Sequence, residues 1–179
     1  MLIQLAGHAG AGKSTLAREL AEHLHGLVLD LDSLKTALLD AGAGWDLASS
    51  ASYAAIYSLV EDNLRRAGAV VIVDVPSYWR EIHERLASTA DRLGANYVFV
   101  ECEVPERIRA ARITSRAARR SQIPSLGASP IDAPPSAGNA HVREIQRPVS
   151  RLCLRVSTEG RGVAAEVLAR IGVATFKRV

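Results

Sequence analysis

The chain has 179 residues and a formal net charge of +3, and its hydrophobic (48%) and charged (23%) fractions are ordinary for a globular protein with room for a core. No apolar run approaches the roughly 20 residues of a membrane span. The start MLIQLAGHAG has no basic segment ahead of its apolar run, and Cys102 and Cys153 both fall in apolar strand segments. The expectations are therefore no signal peptide, no disulfide framework and a reducing, cytoplasmic setting.

Leu2–Leu5 is a short apolar run leading into a glycine-rich segment, as a buried parallel strand does. Leu16, Leu20 and Leu24 then recur at helical spacing until Gly26. Leu27–Leu29 reads as a second strand ending in Asp30 and Asp32, with a helix over Ser33–Asp40 and an AGAG loop after it. Ser49 or Ser50 is the expected cap of a longer helix whose inward face is Tyr53, Ile56, Tyr57, Val60 and Leu64. Ala69–Val73 is the clearest strand, and Ile82, Leu86, Thr89 and Leu93 mark the next helix.

Tyr97–Cys102 reads as a strand, and Pro105 opens an arginine-rich helix at its first turn. Residues 121–140 are rich in Ser, Pro, Gly and Ala without periodicity, the composition of a functional lid or of disorder. Leu152–Val156 and Val163–Ile171 close the chain as strand and helix, and no internal repeat is present. Five short apolar strands alternating with helices specify an α/β domain with a parallel sheet, helices on both faces and ligands at the carboxyl ends of its strands. Gly7–Ser14, Asp30, Asp32 and Asp74 all fall at that edge.

Gly7, four intervening residues, Gly12, Lys13 and Ser14 make a complete Walker A pattern between strand and helix. Glycines let the backbone curl so that successive N–H groups face one anion, and the helix adds its positive end. Gly7, Ala9, Gly10, Ala11, Gly12, Lys13, Ser14 and Thr15 are the expected phosphate contacts. Lys13 reaches the β- and γ-phosphates of a nucleotide in this pattern, and the Ser14 hydroxyl binds Mg²⁺. His8 is given no catalytic role.

Signs of water-splitting or of switching are missing. VVIVDVPSYW supplies Asp74 but no neighbouring glutamate, no guanine-recognition motif occurs, and the lone Asp-x-x-Gly (DRLG, 91–94) closes a helix. Six arginines fall between Arg107 and Arg120, with Arg143 and Arg147 beyond, a cluster that could face nucleic acid or nucleotide phosphates. Few aromatics accompany it, so a single-strand stacking platform is poorly supported and nucleic acid is not the expected partner.

From residue 1 to about 171, the loop, DLDSLK at 30–35, Asp74 and VPERIRAARITSRAARR together resemble the small P-loop kinases of metabolites and antibiotics. Nucleoside monophosphate, shikimate and gluconate kinases belong to that group, as do chloramphenicol phosphotransferase and zeta-toxin-type sugar kinases. The resemblance implies a three-layer α-β-α P-loop NTPase fold over residues 1–179 as a single domain. Its five-stranded parallel sheet would have the order 2-3-1-4-5, with a lid at about 117–147.

It further implies ATP and Mg²⁺ as cofactors and a small-molecule hydroxyl as acceptor. Asp32-Ser33-Leu34-Lys35 is similar to the group's Asp-x-x-Arg, whose aspartate faces the acceptor hydroxyl. Asp32 is the first choice for that role and Asp30 the second, while either could instead cap the helix. Asp74 is placed on the Mg²⁺ water shell or the substrate, or else forms a turn before Pro76. Arg112 is placed on the adenine, and Arg116, Arg119 and Arg120 on the transferring phosphoryl group, whose developing charge a guanidinium stabilises. Arg107 and Arg109 read as a solvated helix face.

Trp45, Asp46, Tyr53, Tyr57, Tyr78, Trp79 and Arg80 are the candidate acceptor wall, with Tyr53 and Tyr57 better suited to packing and Arg80 to an anionic acceptor or plain solvent. Thr158 and Gly160 are placed near the base, through backbone groups. A nucleoside or nucleotide kinase, an RNA-end-modifying or nucleic-acid-binding protein, and a regulator without turnover are the rival readings. The sequence leaves the oligomeric state open.

Overall fold

The computed structural model describes residues 1–130, 132–135 and 143–172. Its elements are β1 (Leu2–Ala6), α1 (Lys13–Leu24), β2 (Leu27–Asp30), α2 (Leu31–Asp40), α3 (Trp45–Leu64), β3 (Val71–Asp74), α4 (Arg80–Arg92), β4 (Tyr97–Glu103), α5 (Glu106–Ser115), β5 (Leu152–Ser157) and α6 (Val163–Arg170). The five strands form one sheet of order β2-β3-β1-β4-β5, every neighbouring pair parallel, as expected from the resemblance.

Alternate residues of the central strands feed two separate cores. Leu2, Val71, Val73 and Phe99 pack beneath Ile56 and Val60 of α3 and Leu86 of α4. Ile3, Leu5, Ile72, Val98 and Val100 pack beneath Leu16 and Leu20 of α1 and Val167 of α6. Helices on both faces explain why β1 and β3 are buried along their whole length. Continuous burial does not extend to β5, which lies at the sheet's edge with Leu152, Arg155 and Ser157 exposed. Cys153 is accordingly half-buried, whereas burial pushes the Cys102 thiol up to about 12 and leaves it inert.

Several boundaries differ from expectation for local reasons. α3 begins at Trp45 behind Gly44, whose extended backbone lets the chain enter the helix a turn early. Ser49 and Ser50 therefore lie inside α3 and donate to the carbonyls of Trp45 (2.7 Å) and Asp46 (2.9 Å) instead of capping it. α2 begins at Leu31, before Ser33, because Asp30 accepts the Ser33 N–H at 3.1 Å and caps it. Pro105 stands at the cap of α5, one position earlier than expected. Among the described residues no helix is long and apolar enough to cross a membrane.

Two ends of the expected lid are described, 117–130 with 132–135, and 143–147; residues 131 and 136–142 lie outside the described residues. The returning end is staked to the body. Ile145 enters the first core. Gln146 N donates to Ser77 O at 2.6 Å, and Ser77 Oγ donates back to Gln146 O at 2.8 Å. Arg147 grips the buried Glu101 carboxylate through Nε (2.6 Å) and Nη2 (2.8 Å).

Candidate active site: a phosphate loop facing a clasped carboxylate

β1 runs into the glycine loop, and α1 starts at Lys13 behind Gly12, with no acidic side chain in its first turn. The loop's four consecutive carbonyls are all engaged. Lys13 Nζ donates to His8 O (3.2 Å), Arg109 Nε to Ala9 O (3.0 Å), Arg112 Nη1 to Gly10 O (3.4 Å) and Thr158 Oγ1 to Ala11 O (2.7 Å). With the carbonyls held, the unpaired first amides of α1 are left for an anion.

The glycines are needed for close approach as well as for their positive φ. A Cβ on Gly10 (φ 78°) would stand 2.8 Å from Arg109 O, and one on Gly12 (φ 84°) 2.8 Å from Thr158 Oγ1. Arg109, expected on a solvated face, is thus a brace of the loop, because α5 packs directly over Gly10. Arg107 does remain exposed, and among the described residues it meets Glu159 at 3.5 Å. Thr158 meets the loop through its side chain, its amide donates to Glu103 O at 3.1 Å, and it receives Arg112 Nη2 on its carbonyl at 2.7 Å.

Asp74 ends β3 in register with Asp30 and Leu5. It is 5% exposed, and Ser14 Oγ donates to its Oδ2 at 2.5 Å. Burial pushes its carboxyl up to about 6, against the opposing pull of Lys13 and the Ser14 hydrogen bond, while Asp30 and Asp32 push it further up. A desolvated carboxylate touching a hydroxyl, both oxygen donors, fits a hard divalent cation such as Mg²⁺.

The two aspartates after β2 divide their work. Asp30 caps α2 and pairs with Arg119 Nη1 at 3.1 Å. Asp32, in the first turn of α2, lines the cavity, and its Oδ2 accepts from Gln122 Nε2 at 2.9 Å.

A cavity of about 950 Å³ joins the loop to this carboxylate. Of the residues singled out from sequence it gathers Ala9, Gly10, Gly12, Lys13, Ser14, Thr15, Asp32, Asp74, Tyr78, Arg112, Arg116, Arg119, Thr158 and Gly160. Gly7 and Ala11 lie behind the loop, and Asp30 beside the cavity. Two placements are corrected. Arg80 is 71% exposed on the first turn of α4, with Glu84 at 3.9 Å, and does not reach the cavity. Arg120 turns to the carboxyl end of α2, donating to Leu39 O (2.6 Å) and meeting Asp40 (3.3 Å) and Asp132 (2.6 Å). The negative end of a helix is a better partner for that guanidinium than the cavity's own cations.

Arg116 behaves differently. It lines the cavity and makes no hydrogen bond or ion pair among the described residues, its Nε being buried without a partner.

At the far end Lys35 lies over the Trp45 ring (3.2 Å), and burial brings its ammonium down to about 8. Trp79 faces the cavity half-exposed, with Arg143 over its ring at 5.5 Å. Tyr53, expected to serve packing, stacks on Tyr57 and also lines the cavity, whereas Tyr57 does not. Sequence reasoning missed Ser121 and Gln122. They stand in a stretch without periodicity, and nothing in their spacing marks them.

Solved structures share the fold. A protein of Chloroflexus aurantiacus named provisionally as a kinase superposes with TM-score 0.72 at 20% identity, covering 96% of each chain. Kti12 of Chaetomium thermophilum, in complex with ADP-AlF3, gives 0.68 at 19% identity over 98% of this chain and 99% of its own. A gluconokinase of Sinorhizobium meliloti gives 0.62 at 19% identity over 97% and 92%. No curated protein matches the chain significantly. Glycine loop, parallel sheet and carboxyl-edge cavity agree with a family match, the AAA domain over residues 2–146, and the chain belongs to that family.

Proposed function

We propose that residues 1–179 form one ATP- and Mg²⁺-dependent kinase that transfers the γ-phosphate to a hydroxyl of a small molecule. One observation carries this reading: a single cavity holds the phosphate loop at one end and the Asp32 carboxylate at the other, with Ser14, Asp74 and the unpaired Arg116 also on its wall. The volume suits a nucleotide phosphate tail plus one small acceptor, not a polymer.

In this reading the loop amides and Lys13 hold the β- and γ-phosphates. Ser14 and Asp74 would hold Mg²⁺, which when bound would neutralise charge on the phosphates. Asp32 orients the acceptor hydroxyl and takes its proton as the new O–P bond forms and the bond from γ-phosphorus to the ADP oxygen breaks. Arg116 offers an uncommitted guanidinium for the charge that develops on the phosphoryl oxygens, and the docked lid excludes water. Most of the arginines that suggested nucleic acid are spent inside the protein, Arg109 and Arg112 on the loop, Arg119 and Arg120 on α2, and Arg147 on Glu101. That distribution favours a kinase over a nucleic-acid-binding reading.

ADP release measured over sugars, sugar acids, nucleosides and antibiotics tests the proposal. We expect one class to raise the rate well above that with water alone. Acceptor-free release as fast as the best acceptor rate would replace the kinase with an ATPase, and a nucleoside or nucleotide as best acceptor would identify the rival kinase class.

A further inference from the structure

The outgoing end of the lid is fastened to α2, and one fastening reaches the residue proposed to activate the acceptor. Gln122 Nε2 donates to Asp32 Oδ2 at 2.9 Å. Its amide is itself held: the Arg119 N–H donates to Gln122 Oε1 at 3.3 Å, and Gln122 N donates to Arg119 O at 2.9 Å. With Oε1 occupied as acceptor, Nε2 is left to donate. Alongside, Ser121 Oγ donates to the Asp32 carbonyl at 3.1 Å and shares a 2.9 Å hydrogen bond with Thr36 Oγ1. Asp32 Oδ1 has no hydrogen-bond partner among the described residues.

We propose that Gln122 is a positioning residue, which fixes the Asp32 carboxylate by one oxygen and leaves the other for the acceptor hydroxyl. An aspartate's terminal torsion is broad and two-fold, so an unheld carboxylate samples many orientations. A neutral amide fixes it without neutralising it. A cation in the same place would pair with the carboxylate and weaken it as a proton acceptor. Because Gln122 belongs to the lid and Asp32 to α2, the carboxylate is set only when the lid's first turn is docked. Docking over the nucleotide and readiness of the acceptor base become one event, a structural route to discriminating against water.

This inference rests on the reading of Asp32 given above, and a double-mutant cycle separates the two. ADP release from ATP and Mg²⁺ is measured with the best acceptor of the panel and, in parallel, without acceptor, for wild type, Gln122→Leu, Asp32→Asn and the double variant. We expect Gln122→Leu to lower kcat about tenfold while KM for ATP stays within about twofold, and to cause no further loss beside Asp32→Asn. Gln122→Glu, which keeps the side chain's size, is expected to lose more than Gln122→Leu because two carboxylates then face each other, and thermal melting reports whether either variant folds.

Equal loss from Gln122→Leu in both backgrounds, or no loss at all, overturns the positioning role while a loss of about 100-fold in Asp32→Asn leaves the base intact. Near-full activity in Asp32→Asn removes the base, and the role of Gln122 with it.

Discussion

The two ends of the cavity are built by different means. At the phosphate end, side chains from α1, α5 and the β5–α6 turn hold four consecutive backbone carbonyls, and the glycines leave no room for a Cβ. At the acceptor end, side chains hold side chains across about 90 residues of sequence: Gln122 on Asp32, Arg119 on Asp30 and Ser33, Ser121 on Thr36. A backbone cradle braced from three elements is preorganised before its ligand arrives. A clasp of exchangeable polar contacts forms and releases at modest cost, since each such bond is worth only about 1 kcal/mol net. On the proposed reading, the fixed grip serves the nucleotide and the adjustable one the acceptor.

Breaking the fixed end should have the largest effect. Lys13→Ala is expected to reduce phosphoryl transfer by at least about 100-fold with little change in melting temperature. Gly12→Val, whose branched side chain would drive into Thr158, is expected to abolish nucleotide binding in a calorimetric titration.

Next comes Asp74, where fixed end and cation meet. Its carboxyl is pushed by burial to about 6 in the folded protein, from an ordinary 3.8. The folded state therefore keeps a proton that the unfolded chain has lost. The associated stability is fully present below about pH 4 and is lost as pH rises through about 6. Asp74→Asn should accordingly stabilise the nucleotide-free protein at pH 7.5 by about 1–3 kcal/mol, read as a rise in melting temperature, while the extra stabilisation that Mg²⁺ adds to nucleotide binding disappears.

Loosening the adjustable end should do less. Arg119→Ala is expected to raise KM for the acceptor severalfold, leave nucleotide affinity unchanged and expose the segment after Ser115 to protease. The smallest effect concerns Lys35, whose lowered value of about 8 predicts that an amine reagent at pH 8 modifies it ahead of Lys13 when nucleotide covers the loop.

Much of the phosphate end was legible in the sequence, because its chemistry is local. The loop spacing, the strand before it and the helix after it are contiguous, and every glycine there answers to a backbone requirement. The sheet order came from the resemblance, and the strand and helix pattern from apolar runs and their periods. The sequence ranked Asp32 ahead of Asp30 only through the resemblance, since both fall before the helix expected to start at Ser33. What separates them is the Ser33 amide on one and the Gln122 amide on the other, and the second contact arrives from 90 residues away. Arg109 and Arg120 were misplaced for the same reason. A run of arginines on a helix and its exit does not reveal which carbonyls the neighbouring elements present. Ser49 and Ser50 failed as caps because Gly44 had already supplied the extended residue that a helix start needs.

Ser77, Glu101 and the first core hold the chain at 145–147, while Arg119 to Gln122 hold it at α2. Among its described residues the intervening stretch contributes no strand, and it joins two anchored points. It can therefore be treated as an exchangeable cartridge. On the proposed kinase reading, a stretch of different length or composition between Gln122 and Glu144 would change the cavity wall that Ile123, Pro130 and Pro134 supply without re-registering a strand.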